Sequence, residues 1–268
     1  MSPSLTVQAQ WQRHSLAERG LRWFITLVLV AAVVQSLRHV EVIPEFLLDA
    51  PEQMADMLAR MFPIDWGHYP EGVHAALVET LHIATLGTVL GLVLALPLGL
   101  MVARNVCPVP ALNQLARVLL VSSRSVNSLV WALLFVKVFG PGALAGVAAI
   151  AFRSIGFMGK LIGEAVEDTP RGPIEALQAS GASLGAQLWY GYFPHLRPTF
   201  WSVVLLRWDI NIRESAVLGL VGAGGIGMAL DTALNLFQWD RVSLVIATIL
   251  AVVLMAEVVV TLVRRRVV

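Results

Sequence analysis

Six long apolar segments constrain the fold more than any other feature of this sequence. They lie at about 21–37, 74–103, 115–139, 142–164, 199–221 and 242–263. A helix needs about 20 mostly apolar residues to cross a hydrocarbon core about 30 Å thick, and most of these segments are that long. Only 14% of the residues are charged, whereas soluble domains contain about 25%. We therefore predict an all-α integral membrane protein with about six transmembrane helices.

The first apolar segment has two interpretations. Over 21–37 it is short for a span, and with Arg13, Arg19 and Arg22 before it, it also resembles a signal peptide. A small-x-small cleavage site does not follow it. We favour an uncleaved first transmembrane helix, preceded by a polar tail over 1–20, and keep a signal peptide as the alternative.

The loops between the apolar segments differ in arginine content. If the N-terminus is cytoplasmic, the inside segments contain ten arginines and the outside segments contain three, which is the bias expected of cytoplasmic loops. Those inside are Arg13, Arg19, Arg22, Arg104, Arg117, Arg171, Arg197, Arg264, Arg265 and Arg266, and those outside are Arg38, Arg60 and Arg241. We therefore predict cytoplasmic termini, an outside loop over 38–72 and a basic cytoplasmic tail over 264–268.

A polar stretch over 173–194 separates the fourth and fifth spans. Pro173 suits a first helical turn, and good helix formers follow it. Gly181 supplies a permissive backbone where a short helix must end. Pro194 and Pro198 are expected to stop the helix before the next span begins. We predict a short helix in a cytoplasmic loop that a partner can approach closely, with an ordinary interfacial loop as the alternative.

The spacing in this stretch resembles the EAA loop of ABC importer permeases. That loop reads Glu-Ala-Ala, three residues, Gly, nine residues and Ile-x-Leu-Pro. Glu175, Ala176, Gly181 and Pro194 fall in register with it. The departures are Leu177, Gly191 and Phe193. The resemblance implies the type I ABC importer permease fold, with residues 175–181 seated in a groove of an ATPase subunit and Leu177 and Pro194 in the same coupling loop.

Over about 74–263 the chain also resembles the phosphonate and phosphite branch of these permeases. The residues that carry this likeness are 133–136, Gly140-Pro141, 164–167, Gly172-Pro173 and 213–227. Arg207-Trp208-Asp209 departs from the Tyr-Arg-Phe-Glu associated with phosphonate permeases, so phosphite is also a candidate substrate.

This resemblance implies several partners in a bacterial inner membrane. They are a second copy of the chain, two ATPase subunits, a periplasmic binding protein and membrane lipid. ATP and Mg would bind the ATPase, and this chain would bind no cofactor. A P-loop sequence G-x-x-x-x-G-K-[ST] is missing from the chain, which is the expectation for a pore subunit rather than an enzyme. The net charge of +1 gives no reason to expect a nucleic-acid partner.

Other classes of function remain as alternatives. An importer of another small solute would share the same loop. A passive anion channel would not need it, and an intramembrane enzyme would need a nucleophile or metal constellation that the sequence does not suggest.

Two spans carry charges that are costly in lipid and that point to a cavity or a partner helix. The third span opens with Arg124 and Asn127 among serines, and Arg207, Asn211 and Glu214 share one helical face of the fifth span. Asp209 and Arg213, four residues apart, can neutralise each other. We predict that the translocation pathway is lined by Arg124, Asn127, Arg207, Asn211, Arg213 and Glu214. A structural ion-pair network between helices is the equal alternative.

The glycine-rich stretch after the fifth span contains Gly222, Gly224, Gly225 and Gly227. Three of these match a dinucleotide-binding fingerprint as a string, but that motif needs a strand before it and a βαβ unit around it. We reject cofactor binding and predict a turn or a close helix contact. The sequence likewise suggests no metal site.

The arginine asymmetry gives a test of topology. A membrane-impermeant thiol reagent should modify the native Cys107 only in inverted vesicles, because the reagent must reach it from the cytoplasm. In a Cys107→Ser background, Ser183→Cys should behave in the same way and Asp56→Cys should react in intact cells. Reaction at position 183 in intact cells would contradict the predicted orientation.

Overall fold

A computed structural model of the protein describes residues 16–40 and 44–267. All regular structure in these ranges is helical, so the predicted all-α fold is confirmed. The α-helices are α1 (Leu16–His39), α2 (Pro44–Arg60), α3 (His74–Val102), α4 (Pro110–Ser125), α5 (Ser128–Phe139), α6 (Ala143–Glu167), α7 (Arg171–Ala179), α8 (Leu184–Ala186), α9 (Phe193–Leu218), α10 (Ile226–Asn235) and α11 (Trp239–Val267). Short 3-10 turns occupy Trp66–His68 and Gly219–Val221, and π turns occupy Tyr69–Val73 and Gln187–Tyr192.

Contacts divide the chain into two units, one up to Asp56 and one from Met57 onward. In the first unit, α1 exposes large apolar side chains such as Trp23 and Phe24, as a helix in contact with lipid would. The segment 38–72, which we predict to be an outside loop, contains a helix, because α2 continues through Pro51. A proline removes one backbone hydrogen bond, and here that loss does not end the helix. The predicted tail over 1–20 lies outside the described residues as far as residue 15.

Four helical segments of the described chain are long and apolar enough to cross a membrane alone, and they contain α1, α3, α6 and α11. Two further pairs of helices are long and apolar enough to cross only if the two bent members of each pair count as one span. With both pairs, the number of candidate spans is six. One pair is α4 with α5, and the other joins the helical segment ending in α9 to α10. The predicted number of about six therefore requires both bent pairs to cross.

The apolar segment 115–139, predicted to be a span, is not one continuous helix. Helices α4 and α5 meet at 92°. Val126 between them is extended, and the Asn127 side chain accepts a hydrogen bond of 3.0 Å from the Leu129 backbone N–H. Asn127 thus caps a new helix inside the apolar segment, because its side chain satisfies a backbone donor that the first helical turn leaves free.

Small residues hold α3, α4 and α6 close together. A Cβ added at Gly91 of α3 would lie 2.7 Å from the Ser154 Cβ of α6. A Cβ at Gly156 of α6 would collide with the backbone oxygen of Leu120 on α4. Membrane helices rely on such contacts, since lipid supplies little hydrophobic drive for helix association. The packing fixes α4 directly against the middle of α6.

The glycine-rich stretch forms the connection from α9 to α10. Gly222, Gly224 and Gly225 have φ values of +86°, +84° and +74°, which side chains other than glycine rarely adopt. The Ile226 N–H at the start of α10 donates to Thr80 Oγ1 of α3 at 2.7 Å. Gly227 lies against the backbone of Ala216 with no space for a side chain. The stretch is therefore a tight turn packed on α3.

Gly156→Ala should destabilise the protein, because the added methyl group meets backbone rather than a movable side chain. We expect a loss of about 1–3 kcal/mol, seen as a lower melting temperature of the purified protein. Gly20→Ala is the matched control, since a Cβ at this helical glycine meets nothing within 4 Å. Equal melting temperatures for the two variants would contradict the proposed close contact of α4 and α6.

Candidate functional site

The EAA-like stretch folds as an exposed helix with a tight end. Glu175 and Ala176 of α7 are exposed, and Ile174 is buried beneath them. The helix ends at Ala179, Gly181 just beyond it has a φ of +76°, and the Ala182 N–H donates back to the Leu177 carbonyl at 3.0 Å. The short helix and its glycine end lie where the sequence predicts them.

Two departures from the EAA pattern compensate each other. A Cβ at Gly191 would lie 2.5 Å from Ile174 Cδ1 and 3.0 Å from Leu177 Cδ1. The missing side chain at Gly191 therefore makes room for the larger side chain of Leu177. The volume lost at one motif position is gained at the other, so α7 can still pack on the turn that follows it.

The expectation that Pro194 and Pro198 stop the helix is wrong. The chain is helical from Leu184 to Val221. Pro194 falls in the first turn of α9, where its missing N–H is tolerated. Immediately before it lies the π turn Gln187–Tyr192, and the Phe193 N–H bonds to the Leu188 carbonyl five residues back. Residues 184–192 thus lead directly into the span.

A bridged ion pair lies between α6 and α9. Glu214 Oε1 is 3.2 Å from Arg153 Nε, and Glu214 Oε2 is 3.1 Å from Arg207 Nη2. One carboxylate therefore contacts two guanidinium groups, one with each oxygen. Arg153 and Arg207 lie near the middle of their helices, so the bridge is expected deep in the membrane, where unpaired charge is costly.

The two arginines differ in how firmly they are held. The Arg207 side chain is only 3% exposed. Its Nε donates to Ser154 Oγ at 2.9 Å, and its guanidinium carbon lies 5.5 Å from the centre of the Phe157 ring. The Arg153 side chain is 29% exposed and donates from Nη1 to the Val126 carbonyl, at the break between α4 and α5, at 3.2 Å. Arg207 is therefore fixed, and Arg153 faces a more open space.

That space is a cavity of about 390 Å³ beside the bridge. Its lining residues are Val121, Arg124, Ser125, Arg153, Phe157 and Arg207. Within the described part of the chain, the Arg124 side chain makes no hydrogen bond or ion pair. The neighbouring Ser123 ties this turn of α4 to α6, because its Oγ accepts from the Gly156 N–H at 3.1 Å. Three arginines therefore line one cavity.

Not all of the predicted pathway residues reach this cavity. Asn211 is fully buried and donates to Thr88 Oγ1 at 2.7 Å and to Ser154 Oγ at 3.2 Å, which ties α9 to α3 and α6. Arg213 pairs with Asp209 instead. Asn127 caps α5. For these three residues the contacts are those of a structural network.

Arg153 is the residue that sequence reasoning missed as part of the site. Its charge inside the fourth span is visible in the sequence, but helical periodicity does not tell which face of α6 meets α9. Among the described residues, no three His, Cys, Asp or Glu side chains come together as a metal site.

The model of one protein family matches residues 95–268, and it is described as the binding-protein-dependent transport system inner membrane component. The chain belongs to this family. The permease is also similar to curated proteins over most of its length. It is 34% identical to the phosphite transport system permease protein PtxC of Stutzerimonas stutzeri, with 96% of each chain covered.

Two further relatives have related names. The putative phosphite transport system permease protein HtxC of Stutzerimonas stutzeri is 36% identical, with 88% of this chain and 83% of that protein covered. The phosphate-import permease protein PhnE of Mycolicibacterium smegmatis is also 36% identical, over 87% of this chain. The chain spans 44% of the length of that protein.

Solved structures agree on the fold. An inward-facing structure of the MetNI methionine ABC transporter matches with a TM-score of 0.66 at 21% identity, covering 74% of this chain and 96% of that one. A bacterial ABC transporter that imports alginate matches with a TM-score of 0.62 at 15% identity, covering 94% and 98%. The predicted type I ABC importer permease fold is confirmed.

Proposed function

We propose that this permease is the pore subunit of an ATP-driven importer for phosphite or phosphonates. The observation that carries the proposal is the 34% identity to PtxC over 96% of both chains. The chain would act as a pair of identical subunits in the bacterial inner membrane, with both termini cytoplasmic. Two ATPase subunits and a periplasmic binding protein complete the transporter, and ATP and Mg bind the ATPase rather than this chain.

The helix α7 is the proposed contact with the ATPase. Its exposed face, with Glu175 and Ala176, suits a protein groove, and the end at Gly181 leaves no side chain to prevent close approach. Because residues 184–192 lead without a break into α9, movement of this segment would be transmitted to the span that carries Arg207. This continuity supports a coupling role for the segment 175–194.

The cavity beside Arg124 and Arg207 is the proposed part of the translocation pathway. Guanidinium groups form charge-assisted hydrogen bonds with oxyanions, and their planar geometry suits tetrahedral phosphorus oxyanions. The three arginines that line the cavity therefore support an anionic rather than a neutral substrate. Phosphate is a second candidate substrate, since one relative is named a phosphate-import permease.

Gly181→Leu should uncouple transport from ATP hydrolysis while the protein still inserts and assembles. A leucine is strained at a φ of +76°, so the end of α7 must rearrange. Gly181→Asn is the matched control, because asparagine tolerates this conformation and should retain more transport. Uptake per ATP hydrolysed in proteoliposomes is the measurement. Parental coupling in the leucine variant would exclude this segment as the coupling element.

The substrate class is tested by uptake into cells that contain the complete transporter. Labelled phosphite should accumulate, and unlabelled phosphite or alkylphosphonate should compete better than phosphate. Accumulation should require the ATPase subunit, which separates an importer from a passive channel. If phosphate competes best, the second candidate substrate is correct. Uptake that persists without the ATPase would contradict active import.

A further inference from the structure

We propose that Arg124 and Arg153, next to the Arg207–Glu214 pair, form a binding site for a doubly charged oxyanion within the permease, and that Glu214 is its internal competitor. The proposal rests on the proposed function, in which phosphorus oxyanions cross this subunit. The site lies on the permease itself, and Glu214 promotes release of the anion from it.

The charges around the cavity do not balance. Three arginines line it, and Glu214 is the only described acidic residue bonded to any of them. The excess is two positive charges. A dianion bound beside Arg124 would neutralise this excess, whereas a neutral or zwitterionic solute would not. Uncompensated charge is costly deep in a membrane, so charge balance favours dianions.

The space suits a small hydrated anion. A tetrahedral oxyanion with four or five heavy atoms occupies about 100 Å³, taking about 30 Å³ for each of three or more displaced waters. The cavity volume is about 390 Å³, so water would remain around the anion. The walls formed by Val121 and Phe157 are apolar and strengthen the attraction between the charges. Such a site attracts the anion without enclosing it.

Glu214 already occupies the position of one anion. One of its oxygens contacts Arg153 and the other contacts Arg207. Arg207 is held by Ser154 and Phe157 and is nearly fully buried, so Glu214 is expected to stay with it. Arg153 is more exposed and lines the same cavity as Arg124. An incoming oxyanion would therefore bind Arg124 and Arg153. It would displace Glu214 from Arg153 but not from Arg207.

This exchange explains how a strongly positive site can release its ligand. When the oxyanion leaves, Glu214 Oε1 returns to Arg153, so both Arg153 and Arg207 again have a carboxylate partner. The bound and empty states then differ less in electrostatic energy than they would without the carboxylate. Glu214 would thus lower affinity and speed release, which a transport site requires.

The test uses the assembled complex of permease and ATPase in lipid nanodiscs, without nucleotide and without the binding protein. Binding of radiolabelled inorganic phosphite is measured by equilibrium dialysis at constant ionic strength. Arg124→Gln should weaken binding about tenfold, since one charge-assisted contact is lost. Glu214→Gln should tighten binding about fivefold, because the internal competitor is neutral.

Arg117→Gln is the matched control. It lies on α4 seven residues before Arg124, about two helical turns away, and is also exposed. We expect parental affinity in this variant. The Arg124 side chain is exposed and makes no hydrogen bond or ion pair with the described residues, so its replacement is not expected to disturb folding. The Arg124 variant therefore tests the site even if Glu214→Gln fails to assemble.

The outcomes separate the site from the proposed function. Equal affinity in the parent, Arg124→Gln and Arg117→Gln proteins would overturn the site, and so would weaker binding in an assembled Glu214→Gln complex. Phosphite uptake by a parental transporter that binds no phosphite in this assay would overturn the site and leave the proposed function intact. Binding with the predicted variant pattern, but without uptake of any phosphorus oxyanion, would support the site and contradict the function.

Discussion

The carboxylate of Glu214 bridging Arg153 and Arg207 is the interaction on which the interior depends. Charges at this depth are costly without partners, and here one acidic residue pairs with two cations. The bridge fixes α6 against α9, and the neighbouring Asn211 extends the same polar network to Thr88 of α3. Removing one member would leave a buried charge unpaired, which costs far more than the net stability that such a bridge contributes. The structure therefore requires Glu214 even if transport does not.

Small residues and one helix break determine what lies next to this bridge. Gly156 allows α4 to touch α6, which brings Arg124 to the cavity that Arg153 lines. The break at Asn127 then turns the chain away by 92° and leaves the Val126 carbonyl free to accept from Arg153. Discontinuous helices of this kind commonly mark substrate sites in transporters, because only cavity-lining backbone can remain irregular in a membrane. Helix packing and the distribution of charge thus both indicate the cavity beside Arg124 and Arg153 as the substrate site.

Much of this architecture follows from the sequence, and its failures have physical causes. The long apolar segments predicted the helices, because a helix that crosses lipid needs about 20 mostly apolar residues. The break at Asn127 was missed because one capping side chain outweighs the apolar pattern around it. Pro194 was expected to stop a helix, but it falls in the first turn of α9, directly after a π turn, where its missing N–H is tolerated. Arg153 was not assigned to the site because helix rotation is set by tertiary packing that no local pattern records.

The most direct test of the central claim is a cryo-electron microscopy map of the assembled transporter with and without saturating phosphite. Without phosphite, Glu214 should bridge both arginines. With phosphite, density for an anion should lie between Arg124 and Arg153, and Glu214 should keep only Arg207. An unchanged bridge and a cavity without anion density at saturating phosphite would contradict the account.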